Sequence, residues 1–194
     1  MTCEPKDEVT AVLLHIKDRD AVERFSAVSK ACRAAEETLT TNPVGTVEDS
    51  VEDIVRRYPR IETLYVATHK QLDTDTNLPP TITGIKTDLW DEGDASKRAK
   101  RFRDRITEVR DFMFVDAVDL STFTALRRVV FEHVPERFTP PAHKLEYVQL
   151  GIDEGYDEWE AVIDPACCEK LVLMVDVEKR YLPIVGGRVP RNVY

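Results

Sequence analysis

The sequence predicts an α/β fold, a mostly parallel sheet with helices on both faces. Three observations carry this. Continuous apolar runs alternate with stripes of 3.6-residue period along the first 140 residues. Turn formers such as Asn42-Pro43, Gly45, Pro59 and Pro135 punctuate the switches. The 194 residues are 42% hydrophobic and 32% charged, enough apolar material for a core of ordinary size.

Residues 9–16 (VTAVLLHI) form a nearly unbroken apolar run, the pattern of a strand covered on both faces. Over residues 18–39, Val22, Phe25, Val28, Cys32, Ala35 and Leu39 draw one stripe down a helix that Asp18 or Asp20 would cap. Thr46 can cap a second helix, with Val47, Val51, Ile54 and Tyr58 turned inward and Pro59 ending it. Residues 61–67 (IETLYVA) read as a strand, 73–80 as a polar, Pro-rich loop and 81–87 as a short extra strand. Asp94 opens a charged helix with Ala95, Ala99, Phe102, Ile106 and Val109 on one side. Residues 112–118 form another apolar strand, and Asp119 or Ser121 caps a helix carrying Phe123, Leu126, Val130 and Val134. The strands at 9–16, 61–67 and 112–118 are therefore expected as parallel neighbours joined by right-handed crossovers.

After Pro140-Pro141 the pattern turns to strands. Residues 145–152 read as one, 156–162 as a short helical or irregular piece, and 171–177 and 181–185 as two more joined by Glu178-Lys179-Arg180. The expected division is an α/β domain over residues 1–140 and a β-rich extension over 141–194. So short an extension cannot bury Trp159, Met174, Tyr181 and Ile184 alone, and a partner contact through Leu173 and Val175 is expected. No internal repeat is evident.

Composition excludes several function classes. A net charge of −9 argues against nucleic acid, whose phosphates call for an excess of Lys and Arg. No stretch reaches the ~20 apolar residues that cross a bilayer, so no membrane insertion is expected. The polar N-terminus lacks a signal-peptide core, and Cys3, Cys32, Cys167 and Cys168 suit buried thiols of a reducing cytoplasm. The basic residues Lys97, Arg98, Lys100, Arg101, Arg103 and Arg105 read as an anion or partner patch or as a solvated face balanced by Asp94, Asp104 and Glu108. On so acidic a chain the solvated face is expected.

Catalytic chemistry has no positive support. Phosphate-cradling glycine loops, a Gly-x-Ser-x-Gly elbow and a His-Glu-x-x-His metal motif are all missing. The expected strand ends gather His15, Asp18, His69, Lys70 and Asp116, where a small α/β enzyme or ligand-binding domain would place its site.

Read in order, residues 9–139 resemble the second half of a small GTPase domain, closest to the Rag (Gtr) family. Residues 11–18 (AVLLHIKD), with Ser29, Cys32, Ala34 and Ala35 after them, are similar to that family's fourth strand and third helix. Residues 61–73, ending THKQLD, resemble the strand that leads into the guanine-recognition motif. Residues 114–135 (FVDAVDLSTFTALRRVVFEHVP) resemble the last strand and helix, and residues 169–185 (EKLVLMVDVEKRYLPIV) the first hairpin of a roadblock domain. The resemblance implies an incomplete small-GTPase-like, P-loop NTPase-like architecture without its phosphate-binding half. It places the guanine contacts at Lys70, Asp73, Asp116 and Ala117, with Lys86 and Asp88 as a rival Lys-x-Asp pair. Lys70 and Asp73 stand one residue too far apart for the motif, and Asp116 replaces the usual Ser, so GTP or GDP would bind weakly and no cofactor is required.

The implied function is a non-catalytic, GTPase-like interaction protein, a subunit or regulator in a signalling or trafficking complex. Its partner would be a protein, another GTPase-like or roadblock protein in kind, and its place cytoplasmic, reaching an endomembrane only through that partner. The small α/β enzyme or ligand-binding domain is the alternative.

Overall fold

The computed structural model describes residues 5–66, 71–72, 77–88, 101–111, 117–152, 159–175 and 180–185. The chain divides into two compact units, Met1–Thr87 and Asp88–Tyr194.

The first unit begins with three helices, α1 (Pro5–His15), α2 (Arg19–Val28) and α3 (Lys30–Glu36). Asp18 caps α2 by accepting the Ala21 N–H at 2.8 Å. Ser29 ends α2 in an extended conformation and caps α3 by accepting from the Cys32 N–H at 3.1 Å. That cap breaks the single helix expected over 18–39, because a side chain that satisfies a fresh helix N-terminus favours a new start over continuation. A 3-10 turn (Val44–Thr46) leads to α4 (Val51–Arg57), which Ser50 caps rather than Thr46. Val51, Ile54 and Tyr58 are buried as the spacing predicts. Strands β1 (Thr63–Val66) and β2 (Gly84–Asp88) follow and pair in parallel.

Polar side chains tie the helices of this unit to its strands. Asn42, 1% exposed, receives the Tyr65 N–H on Oδ1 at 2.7 Å and donates Nδ2 to the Tyr65 carbonyl at 2.8 Å. One side-chain amide thus continues the ladder that the Thr41–Thr63 bridge begins. Arg57 bonds Glu36 of α3 at 2.7 Å and the Val22 carbonyl of α2 at 3.2 Å. Burial would lower its guanidinium pKa, but the Glu36 hydrogen bond together with the nearby Tyr58, Glu36 and Glu23 charges outweighs this and raises it.

In the second unit, β3 (Ile106–Asp111), β5 (Arg128–Phe131), β7 (Leu145–Ile152) and β8 (Cys168–Val175) lie side by side, all parallel. β9 (Arg180–Val185) pairs antiparallel on the other edge of β8. The return legs stack as well: β4 (Ala117–Asp119), between β3 and β5, pairs in parallel with β6 (Arg137–Thr139), between β5 and β7. The leg from β7 to β8 holds the one-turn helix α5 (Trp159–Val162) and a 3-10 turn (Pro165–Cys167). One strand and one return leg per turn is a β-solenoid arrangement.

The solenoid has a repeat that the sequence reading missed. Within each unit, strands in register match residues 19–23 positions apart: Leu64 with Ile85, Val109 with Val129, Val129 with Val148, and Val148 with Leu171. Around Leu64, Ile85, Val129, Val148 and Leu171 runs the pattern apolar-x-x-apolar-x-buried, and Ile106 and Val109 hold its first two places in β3. It reads Ile61, Leu64, Val66; Ile82, Ile85, Thr87; Leu126, Val129, Phe131; Leu145, Val148, Leu150; and Cys168, Leu171, Leu173, all at most 4% exposed. Each large aliphatic so buried contributes on the order of 1.5–3 kcal/mol. The backbone repeats too. The Thr40 carbonyl accepts from Glu62 and Thr63, Glu62 from Thr83 and Gly84, and Arg127 from Glu146 and Tyr147.

The α/β class and the mostly parallel sheet stand; the order of elements does not follow a P-loop fold. Residues 9–16 lie in helix α1, where Leu13 is fully buried and Val12 is 60% exposed. Such one-sided burial is what an eight-residue apolar run gives when it forms a helix. The helix expected from Asp94 cannot run through Ile106 and Val109, which lie in β3, and the helix expected after Ser121 is replaced by turns and β5. The strand expected at 112–118 survives in the described residues as the start of β4 and pairs with β6 instead of β1. The strands expected at 61–67, 81–87 and 145–152 are β1, β2 and β7. The boundary near residue 140 falls inside the second unit, where β7 pairs directly with β5. Leu173, expected as a partner contact, is 4% exposed and belongs to the core.

Candidate functional site

Alternation along a strand sends the neighbours of each buried central residue to the opposite face of the sheet. In the second unit the residue just before that central position is Glu108 in β3, Arg128 in β5, Tyr147 in β7 and Lys170 in β8. These four face one another in register across four adjacent strands. Two residues further on, Arg110, Val130 and Gln149 form a second, half-buried row.

The first row is one connected cluster. Glu108 is 3% exposed and divides its carboxylate between two arginines. Oε1 takes both Nε and Nη2 of Arg110 at 2.9 Å, while Oε2 lies 3.7 Å from Nε of Arg128. The Arg128 guanidinium sits 4.6 Å from the Tyr147 ring centroid, and the Lys170 ammonium 5.5 Å from the same centroid. Both lie within cation–π range. The Tyr147 hydroxyl donates to Gln149 Oε1 at 2.8 Å, fixing the ring between its cations. Among the described residues, Arg128 has only the 3.7 Å approach of Glu108 as an ion pair, and Lys170 has none. A buried carboxylate beneath two guanidiniums anchors the row, since stripping either partner would leave a charge poorly compensated away from water. The cluster offers cationic heads and an aromatic edge on a rigid sheet, groups that suit contact with a carboxylate-bearing surface.

The residues singled out from the sequence fall elsewhere. Lys70, Asp73, Asp116 and His69 lie outside the described residues. Ala117 begins β4, Lys86 stands opposite Tyr65 on the β1–β2 ladder, and Asp88 ends β2. His15 ends α1 and Asp18 caps α2, so the turn between those helices brings these two near in sequence. Of the basic run, Arg101, Arg103 and Arg105 are described, and Arg101 approaches the Phe102 ring at 5.5 Å just before β3.

Glu108, Arg128, Tyr147 and Lys170 were missed because only strand register brings them together. The signal was their shared place, one residue before Val109, Val129, Val148 and Leu171, and it becomes visible once the repeat is aligned.

Among the described residues no group of three or more His, Cys, Asp or Glu could hold a metal ion, and no helix is long and apolar enough to cross a membrane. Cys167 and Cys168 are free thiols, and the adjacent Cys168 thiol together with burial pushes Cys167 above the usual thiol range. Comparison with protein families, with curated proteins and with solved structures returns no match.

Proposed function

We propose that this chain is a non-catalytic interaction protein, a subunit of a larger complex that holds a partner protein against the sheet face of its second unit. The observation that carries this is the in-register row Glu108–Arg128–Tyr147–Lys170 on a rigid repeat scaffold. Aromatic and arginine side chains are the types most enriched at binding hot spots, and here both are oriented before any partner arrives. The pattern apolar-x-x-apolar-x-buried at a spacing near 20 residues, with one strand per repeat, resembles that of leucine-rich-repeat solenoids. Proteins built this way present extended binding surfaces on their strands. The role in a signalling or trafficking complex expected from the sequence fits this reading, which requires no bound nucleotide.

The helices of the first unit supply a second contact. α1 leaves Val12 60% exposed and α2 leaves Val28 74% exposed. Val9, Leu14 and Phe25 on the same helices are half-buried. Exposed apolar side chains on these helices suit docking to another protein, making the chain an adaptor with two surfaces.

The test is to capture complexes from native cells on the full chain, cross-link them and map hydrogen-exchange protection. Protection of β5, β7 and β8 is the expected result. Protection confined to segments outside both β3–β8 and α1–α2 would overturn the proposal, as would turnover of GTP by the purified chain.

A further inference from the structure

We infer that the partner presents an acidic peptide segment to this face, its carboxylates seated on Arg128 and Lys170. The inference rests on the reading of the sheet face as a contact surface and names the chemistry of its occupant. The row and Arg110 together hold three cationic side chains and one carboxylate, Glu108. Glu108 bonds Arg110 at 2.9 Å and approaches Arg128 at 3.7 Å. These four side chains therefore carry a net two positive charges on a chain whose net charge is −9. Repulsion from the rest of the chain disfavours an acidic partner everywhere except at such a local excess of positive charge, which gives this face selectivity over the remaining surface.

The heads are also held in place. Tyr147, between β5 and β8, lies within cation–π distance of both Arg128 and Lys170. Long cationic side chains immobilised against a ring lose less rotamer freedom when they bind. Adjacent strands are roughly 4.8 Å apart, so Arg128 and Lys170 spring from backbones about 10 Å apart. Extended chain advances about 3.3 Å per residue, which puts the two contacting carboxylates two or three residues apart in the partner. Arg128 offers a planar fork able to grip one of them in bidentate fashion, and Lys170 a point charge for the other. Glu108 acts as a positioning residue, drawing Arg110 away and orienting the Nε side of Arg128.

The probe is a fluorescein-labelled octaglutamate peptide, read by fluorescence anisotropy against the full chain, with octaglutamine and octalysine peptides beside it. Octaglutamate should bind, more weakly as salt rises toward about 0.15 M, and the other two should not. Arg128→Gln and Lys170→Gln should each weaken binding about three- to tenfold and the double variant about thirtyfold. Arg56→Gln, an exposed charge loss on α4, should leave it unchanged, and circular dichroism should show every variant folded. Absence of octaglutamate binding overturns the inference, as does a loss in Arg56→Gln equal to that in Lys170→Gln. Tighter, Arg128-dependent binding to phosphatidylserine vesicles than to the peptide would assign the face to a membrane and overturn it too. If complexes from cells protect β5–β8 but survive the double variant, the contact surface stands and its acidic occupant falls. If protection lies elsewhere, the contact surface itself falls.

Discussion

The first unit is held at its critical joints by individual polar side chains, while the second is held by apolar positions repeated from strand to strand. Asn42 completes the edge of β1 with its amide, and Arg57 ties α4 to both α2 and α3. In the second unit the edge of β8 is covered by a whole antiparallel strand, and Val129, Phe131, Val148, Leu150, Leu171 and Leu173 stack behind the sheet. The contrast teaches where each unit is vulnerable. A unit closed by single polar groups fails at named atoms, whereas a repeated stack spreads its stability over many equivalent contacts and fails through volume and spacing.

The largest effects should therefore come from the stack. Leu150 is fully buried and sits beside Phe131 and Leu173 in the register. Leu150→Ala should cost about 3 kcal/mol, read as a loss in urea unfolding and as faster amide exchange in β5, β7 and β8 but not in β1. An unchanged exchange pattern in the second unit would show that the stack does not carry its stability. Gly151 supplies the spacing test. A Cβ there would fall on the Glu132 carbonyl oxygen and 2.6 Å from its carbonyl carbon, so the two neighbouring turns of backbone would have to part. Gly151→Ala should cost about 2–3 kcal/mol by the same measurement, although it adds apolar surface.

The first unit should respond to a change of one polar group. Asn42→Ala removes the amide that bonds both the Tyr65 N–H and the Tyr65 carbonyl and should cost about 2 kcal/mol. Asn42→Asp sharpens the point. It keeps an acceptor for the N–H but sets a carboxylate oxygen against the Tyr65 carbonyl, so it should be no better than alanine. Exchange at β1 should rise in both variants while β7 and β8 stay protected. Rescue by Asp would show that only the accepting half of the amide matters.

The same contrast governs what could be read from the chain itself. β7 is legible to the residue because alternation over 145–152 is long and Pro140-Pro141 isolates it. β5 is not, because Phe123, Leu126, Val130 and Val134 also fall at helical spacings, and Val129 and Phe131 alternate over too short a span to compete. The repeat hides because its spacing drifts from 19 to 23 residues, its first apolar position changes from Ile to Leu to Cys, and Thr87 fills a core position. In the first unit the apolar run at 9–16 fits strand and helix alike, and only three-dimensional burial of Leu13 against exposure of Val12 separates them. The candidate site was legible only in its residue types, since its members are 19–23 positions apart and meet through register alone.

The smallest expected effect lies at Tyr58 and tests whether polar groups in the first unit are all stabilising. Its side chain is 1% exposed, and its hydroxyl makes no well-formed hydrogen bond among the described residues, its polar neighbour being Thr46. Burial pushes its pKa from 10.0 up to about 12, with the nearby Arg57 guanidinium opposing the shift. Tyr58→Phe removes a buried polar atom that only Thr46 weakly satisfies, so at neutral pH stability should stay equal or rise by up to about 1 kcal/mol. The pH dependence has a definite sign. Because the folded state holds the phenolic proton more tightly than the unfolded chain, the associated stability is complete below pH 10 and is lost as pH rises toward about 12. Wild type should therefore lose stability relative to Tyr58→Phe across that window, measured as the difference between their urea midpoints at each pH. A constant difference from neutral pH to pH 12 would mean that the phenol ionises as freely in the folded chain as in the unfolded one, and Tyr58 would then not be part of a sealed core.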